Sequence, residues 1–256
     1  MKPYADHFSK LASGYAASRP RYPGELFSYL AALATRHELA WDCAAGSGQA
    51  TVPLAQWFRR VIGTDASGTM LDQAQPHPSV EYRAAPAEDS GLDPASVDLV
   101  TVAQALHWLD MEAFYREVRR VLVPGGVLAV WTYGVIHVDL EPADHVLLSF
   151  YTDVVGPFWP AERRHVESGY LTLPFPFAEI APPPFSMQVQ WTLAELLGYV
   201  RTWSATQRYK EELGRDPVEQ LELRLAPVWG DRLTRRMIAW PLSLRVGRYE
   251  GSNSAD

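Results

Sequence analysis

Trp41-Asp42-Cys43-Ala44-Ala45-Gly46-Ser47-Gly48-Gln49-Ala50-Thr51 is the stretch on which the fold turns. Its first residues read as the end of a strand, Gly46 and Gly48 as a turn, and Gln49 onward as the start of a helix. Glycine has no Cβ, so the backbone can bend sharply there and let a ligand approach closely. A helix beginning after the turn would aim its free N–H groups and positive dipole end at whatever lies above it. Downstream, Val61-Ile62-Gly63-Thr64-Asp65 reads as a second strand, ending in a carboxylate 17 positions beyond Gly48. In βαβ nucleotide sites an acid about 20 residues past the glycines takes the ribose hydroxyls. Together the two features point to a nucleoside cofactor.

The dinucleotide pattern G-x-G-x-x-G/A, started at Gly46, puts Thr51 where its third Gly or Ala belongs. No Tyr-x-x-x-Lys pair is evident either, so a nicotinamide oxidoreductase is disfavoured. The acid-led run Asp42-x-Ala44-x-Gly46-x-Gly48 is the better frame.

Outward from this stretch the chain alternates strands and helices. Leu26, Leu30 and Leu33 share one face of a helix predicted over Gly24–His37. Leu39–Ala44 is the first strand and Gln49–Arg60 the first crossover helix, with Pro53 in its opening turn. After the second strand, Ser67 is placed to cap a short helix over Gly68–Gln75. Val80–Ala84 and Val97–Ala103 are further strands, the latter apolar enough to be buried on both faces. Asp110 caps a helix carrying Phe114, Val118, Val121 and Leu122, which Pro124-Gly125-Gly126 stops ahead of a strand over Val127–Thr132. This order predicts a parallel sheet with helices on both faces and right-handed crossovers.

Beyond Tyr133 the pattern changes. Residues 137–184 offer a helix over Ala143–Val155 and then a proline-rich stretch studded with Phe158, Trp159, Tyr170, Phe175 and Phe177. So long an irregular insertion reads as a cap over the strand ends, with a structural flap or dimer surface as the alternative. Ser186–Trp191 and Met237–Val246 are strands. Between them Thr192 caps a helix through Ser204, and Asp216 precedes a polar helix over Pro217–Val228. Residues 1–23 form an arm in which prolines block a continuous helix, and its Tyr15, Arg19 and Tyr22 either cover a pocket or pin the arm to the fold.

Composition narrows the class. With 47% hydrophobic and 21% charged residues over 256 positions, the chain fits one globular α/β domain with an elaboration. A net charge of −7 disfavours a nucleic-acid footprint. A single cysteine, Cys43, excludes an intrachain disulfide and a cysteine-rich zinc site. No metal site is expected. The N-terminus has no apolar h-region, and the longest uncharged run is broken by proline and glycine, so a cytoplasmic protein without a membrane span is expected.

Several stretches resemble the class I S-adenosylmethionine-dependent methyltransferases of the small-molecule type that includes trans-aconitate methyltransferase-like proteins. They are Tyr15-Ala16-x-x-Arg19-Pro20-x-Tyr22-Pro23, Gly46-Ser47-Gly48-Gln49-Ala50-Thr51, Gly63-Thr64-Asp65-x-Ser67-x-x-Met70-Leu71 and Ala87-Glu88. Gln104-Ala105-Leu106-His107-Trp108, Leu122-x-Pro124-Gly125-Gly126 and Arg201-Thr202-Trp203-Ser204 follow, so the resemblance spans nearly the whole chain in order. One departure stands out: Ala44 occupies the place of the family's first glycine, where a methyl group is tolerable at negative φ.

The resemblance implies a Rossmann-like doubly wound α/β sheet of seven strands, the last antiparallel, in a single domain over 1–256. It implies S-adenosyl-L-methionine as cofactor and S-adenosyl-L-homocysteine as product. Asp42, Ala44, Gly46, Gly48, Ala66 and Met70 would line the cofactor, Asp65 would take its ribose, Ala87 and Glu88 would flank its adenine, and Gln104 would lie beneath its methionyl end. Tyr15 and Arg19 would cover it, while Tyr22, His107, Trp108, Trp159 and Tyr170 would meet the acceptor. Each has a structural alternative: Asp65 could cap a helix and Glu88 could be a solvated acid.

His107 has the pKa range suited to a general base, although a histidine that fixes a loop reads equally well. A sulfonium methyl is already activated, so transfer chiefly needs an acceptor held close and collinear. Arg163, Arg164 and Arg201 could clamp an anionic acid. A carboxylate is therefore the first expectation for the acceptor, and a metabolite hydroxyl the second. A catalytically silent cofactor-binding protein on the same fold is the rival reading. Partners are expected to be a small molecule, with the chain a monomer or homodimer.

Overall fold

A computed structural model describes residues 20–251. The central sheet is built on β1 (Leu39–Cys43), β2 (Arg60–Asp65), β3 (Val80–Ala84), β4 (Val97–Ala103) and β5 (Leu122–Tyr133). These five run parallel in the order β3-β2-β1-β4-β5. The chain order reverses direction at β1 and β4, so the carboxyl ends of these two strands flank the crevice where such sheets bind ligands. The long β9 (Arg236–Arg248) then pairs antiparallel with β5.

The seven expected strands are all present, and the last is antiparallel. β8 (Phe185–Trp191) is the sixth of them, and two short strands accompany the seven, β6 (His137–Val138) and β7 (Ala178–Ile180). β6, β7 and β8 all pair antiparallel with β9. Ala239 pairs with both His137 and Gln188, and Val246 with both Ala129 and Ile180. β9 is thus flanked by β5 and β6 on one edge and by β7 and β8 on the other. At two and three residues, β6 and β7 are too short to show a sequence alternation.

Side chains alternate across the sheet into two cores. One face holds Ala40, Val61, Leu99, Val127, Ala129 and Trp131 against α1 (Gly24–Leu33). The other holds Trp41, Ile62, Val100, Val102, Leu128 and Val130 against α4 (Met111–Val121). Asp110 caps α4 by accepting the Ala113 N–H.

Several helices differ from expectation. α2 (Thr51–Leu54) is a single turn rather than a helix over 49–60. Pro53 removes one donor, and the chain beyond it closes mainly through i→i−3 bonds, such as Ala55 N–H to Val52 O and Trp57 N–H to Leu54 O. α3 (Gly68–Leu71) is equally short, and the Ser67 side chain does not cap it. β5 starts at Leu122 and carries Pro124-Gly125-Gly126 within it, the exposed proline costing no ladder bond there.

The insertion contains α5 (Glu141–Ser149), a π-helical turn (Phe150–Val154), a 3-10 turn (Gly156–Phe158) and α6 (Arg163–Glu167). Beyond β8 come α7 (Leu193–Arg201), opened by the full Thr192–Glu195 capping box, then α8 (Ser204–Leu213) and α9 (Pro217–Trp229). The expected helix through Ser204 breaks after Arg201, and α8 went unread in the sequence. α5 packs against α9, whereas Val166, Tyr170 and Phe175 of the same insertion sit in the second core. Among the described residues no helix is long and apolar enough to cross a membrane.

Candidate active site

The turn after β1 is held by two carboxylates. Asp42 is fully buried and accepts hydroxyl hydrogen bonds from Thr51 (2.5 Å) and Thr101 (2.8 Å), tying β1 to α2 and β4. Burial pushes its carboxyl up to about 6; the two threonines work against that shift and Asp65 adds to it. Asp65 ends β2 with one carboxylate oxygen accepting the Gly46 N–H and the other the Ser67 N–H, both at 2.9 Å. The Ser67 backbone, not its side chain, is what binds here. Each carboxylate oxygen keeps a second lone pair for a further donor.

Gly46 and Gly48 have φ of 54° and 83°, the left-handed region that glycine enters freely. Ala44 shares that region at 57°, so the negative φ that would ease its methyl group is not what the chain adopts. With α2 only one turn long, the expected helix N-terminus contributes little, and the Gly46 N–H is already taken by Asp65. Tyr82 is a neighbour that sequence reasoning missed. A Cβ on Gly48 would collide with its hydroxyl, and one on Gly63 would press on its ring. Gly63 inside a strand was the signal for such a close approach.

Met70 reaches back over this turn, its methyl 3.7 Å from where a Gly46 Cβ would lie, and Ala66 beside it is exposed. Along the next loop Ala87 is buried. Glu88 is half-buried and accepts the Asp110 N–H at 3.4 Å.

Gln104 follows β4 with φ of 60°, a strained backbone for a residue with a Cβ. Its N–H donates to Trp131 O, and the Thr132 hydroxyl donates to its Oε1 at 2.8 Å. That bond orients the amide so that Nε2 is left buried without a partner. A 3-10 turn (Leu106–Trp108) then presents His107. Its Nδ1 lies 2.8 Å from the Tyr170 hydroxyl, and its ring centroid 4.8 Å from that of Trp108. Burial lowers the imidazole to about 4, and the positive charges of Arg163 and His165 push the same way.

The insertion meets this turn through Tyr170. Arg163 stacks over Trp159 at 4.4 Å and donates through Nε to the Tyr151 hydroxyl at 2.8 Å. Among the described residues this is the sole hydrogen bond of its guanidinium. Trp159 Nε1 is buried without a partner, as is Trp131 Nε1, against whose ring Tyr22 packs edge-on at 5.5 Å. Of the other arginines considered, Arg201 is paired with Asp216 at 3.0 Å and Arg164 is exposed. Tyr15 and Arg19 lie outside the described residues.

A parallel 3-2-1-4-5 sheet with a reversed neighbour, a left-handed glycine turn after β1 and an acid ending β2 define a Rossmann-like nucleoside-binding fold. Comparison with known proteins specifies which. The family described as "Methyltransferase domain" matches residues 41–130. A Dictyostelium discoideum protein named as a methyltransferase is 32% identical over 222 residues, covering 86% of this chain and 84% of its own. An uncharacterized methyltransferase of Mycobacterium tuberculosis is 39% identical over 181 residues, 64% of this chain and 71% of its own. A solved structure from Anaeromyxobacter dehalogenans, described as a type II methyltransferase, is 44% identical with a TM-score of 0.87, over 91% of this chain and 99% of that one. The chain belongs to the class I S-adenosylmethionine-dependent methyltransferases.

Proposed function

We propose that the protein transfers a methyl group from S-adenosylmethionine to a carboxylate of a small acidic metabolite, giving a methyl ester and S-adenosylhomocysteine. The observation that carries the reading is a set of donors without acceptors. Trp159 Nε1 is buried and unpartnered, and the terminal nitrogens of Arg163, whose guanidinium stacks over that ring at 4.4 Å, are free of acceptors among the described residues. A buried donor left unmade is costly; any acceptor oxygen satisfies the indole N–H, and the guanidinium beside it favours an anionic one.

The residues present fit the cofactor on two counts. The left-handed turn at Gly46 and Gly48 admits close backbone approach, and Asp65 retains lone pairs for hydroxyl donors. Ala44, Gly46, Gly48, Ala66, Met70 and Asp65 would hold the ribose and methionyl parts, with Ala87 and Glu88 at the adenine and Gln104 below the methionyl end; Asp42, buried with its carboxylate taken by Thr51 and Thr101, would shape the turn instead of touching the cofactor. When bound, S-adenosylmethionine supplies an activated sulfonium methyl, whose passage to a carboxylate oxygen makes one C–O bond as one C–S bond breaks and releases no proton. His107 therefore need not take a proton. Uncharged at neutral pH, it orients the acceptor from one side while Tyr22, Trp108, Trp159 and Arg163 enclose it from the others; Tyr170, fully buried, touches His107 and not the acceptor. Residues of the 137–184 insertion are the cover that keeps water out.

A hydroxyl acceptor is the second reading. It draws on the uncharged His107 as proton acceptor, but an imidazole lowered to about 4 is a weak base for that work.

The test is transfer of tritiated methyl from S-adenosylmethionine by the full chain to a panel of small mono-, di- and tricarboxylic acids and phenols. The proposal expects label that base releases as methanol, from an acid, and a raised KM for that acid in Arg163→Gln. Label confined to base-stable ethers, or no transfer to any acid, would overturn it.

A further inference from the structure

The loop joining β3 to β4, residues 85–96, has no helix or strand of its own, yet Ala87, Ser90 and Leu92 within it are buried. Its anchor is a carboxylate in the last turns of α4. Glu117 is 6% exposed, and its Oε1 accepts both the backbone N–H and the hydroxyl of Ser90, at 2.8 and 2.5 Å. Arg120 donates to both carboxylate oxygens at 2.7 Å, and to the carbonyl of Leu92 at 2.8 Å. The Ala95 and Ser96 N–H groups bond to the carbonyls of Arg120 and Val121. At the other end of the same helix, the Asp110 N–H meets Glu88. Both ends of one helix thus hold the loop, the N-terminal end at Glu88 and the last turns at Ser90, Leu92, Ala95 and Ser96, with Ala87 next to the first of these.

We infer that Glu117 is a positioning residue for the cofactor, holding the Ala87–Glu88 segment in the arrangement that reads the adenine base; this rests on the cofactor reading above. Glu117 faces Ser90 and Arg120 rather than the crevice, so it acts through the loop. If the loop holds its binding arrangement only about one-tenth of the time without this anchor, affinity falls about tenfold.

The experiment measures dissociation constants of S-adenosylhomocysteine and of its 6-oxo counterpart, S-inosylhomocysteine, for wild type, Glu117→Gln and Ser90→Ala, alongside the acceptor KM. The expected result is about tenfold weaker S-adenosylhomocysteine binding in Glu117→Gln, less than threefold change for the inosine analogue, and an unchanged acceptor KM. Ser90→Ala should move the same ratio in the same direction by a smaller factor, and it carries the test if Glu117→Gln does not fold. Equal weakening of both nucleosides, or of neither, would mark Glu117 as a general fold contact and overturn the inference. Failure of wild type to bind S-adenosylhomocysteine would instead remove the cofactor reading, and the inference with it.

Discussion

His107 Nδ1 and the Tyr170 hydroxyl lie 2.8 Å apart although 63 positions separate them, so the insertion is fastened directly to the turn after β4. Tyr170 is fully buried and, with Gly169, adopts a left-handed backbone, φ 64° and 60°. That conformation costs a residue bearing a Cβ about 1–2 kcal/mol. It is retained because the Tyr170 N–H bonds to His165 O, while Arg245 donates to the carbonyls of Tyr170 and Leu173. Tyr170→Phe keeps the packing and removes this bond to His107. Turnover should fall about tenfold, the loss of roughly 1.4 kcal/mol of orientation, with cofactor affinity unchanged in a binding titration.

The imidazole of His107 should titrate near pH 4 by NMR, and activity should show no histidine limb between pH 5.5 and 8. Its folded value lies below the ordinary 6.5, so the unfolded chain takes the proton first. The associated stability is complete above about pH 6.5 and is lost as pH falls toward 4. His107→Ala should lower turnover by less than the 10²-fold minimum typical of a lost general base, with a raised acceptor KM. A loss of 10²–10⁴ in turnover alone would restore the base role.

Asp42 works in the opposite sense. Its carboxyl is raised from 3.8 to about 6, so the folded chain binds the proton more tightly. The stability gained from the neutral acid is present below about pH 4 and lost as pH rises through 6. Asp42→Asn removes this dependence while leaving groups for Thr51 and Thr101 to pair with. Thermal melts from pH 4 to 7 should show the variant gaining on wild type as pH rises.

The glycine turn makes a matched pair of predictions. Ala44→Gly relieves a left-handed alanine worth about 1–2 kcal/mol, partly offset by the about 0.5–1 kcal/mol entropy cost of glycine, so the melting temperature should hold or rise slightly. Gly48→Ala adds the same strain and runs into the Tyr82 hydroxyl. It should lower the melting temperature by several degrees and weaken S-adenosylhomocysteine at least tenfold in a binding titration.

The sheet was legible because buried parallel strands such as Val97–Ala103 are mostly apolar, broken there only by Asp98 and Thr101, and caps such as Asp110, Thr192 and Asp216 carry their own signature. The short α2 and α3 were not, since the apolar pattern around Pro53 fits a helix as well as a chain of tight turns. In the site, the glycines and Asp65 were visible from spacing. What Asp65 holds was not: its oxygens clasp the backbone of Gly46 and Ser67, and backbone partners leave no mark on residue identity. Tyr82, Thr101, Thr132 and Glu117 act across 19 to 59 positions of sequence, where only the fold sets the distance.

The central claim is S-adenosylmethionine binding at the β1 turn and Asp65, and the most direct measurement is a thermal-shift titration of wild type and Asp65→Ala with S-adenosylhomocysteine and with NAD. At 100 times its dissociation constant a ligand adds about 2.7 kcal/mol, a rise of roughly 5–10 °C for a domain of this size. The account predicts that rise for S-adenosylhomocysteine on wild type, none for NAD, and its loss in Asp65→Ala. An unmoved transition with S-adenosylhomocysteine, or an equal response to NAD, would contradict it.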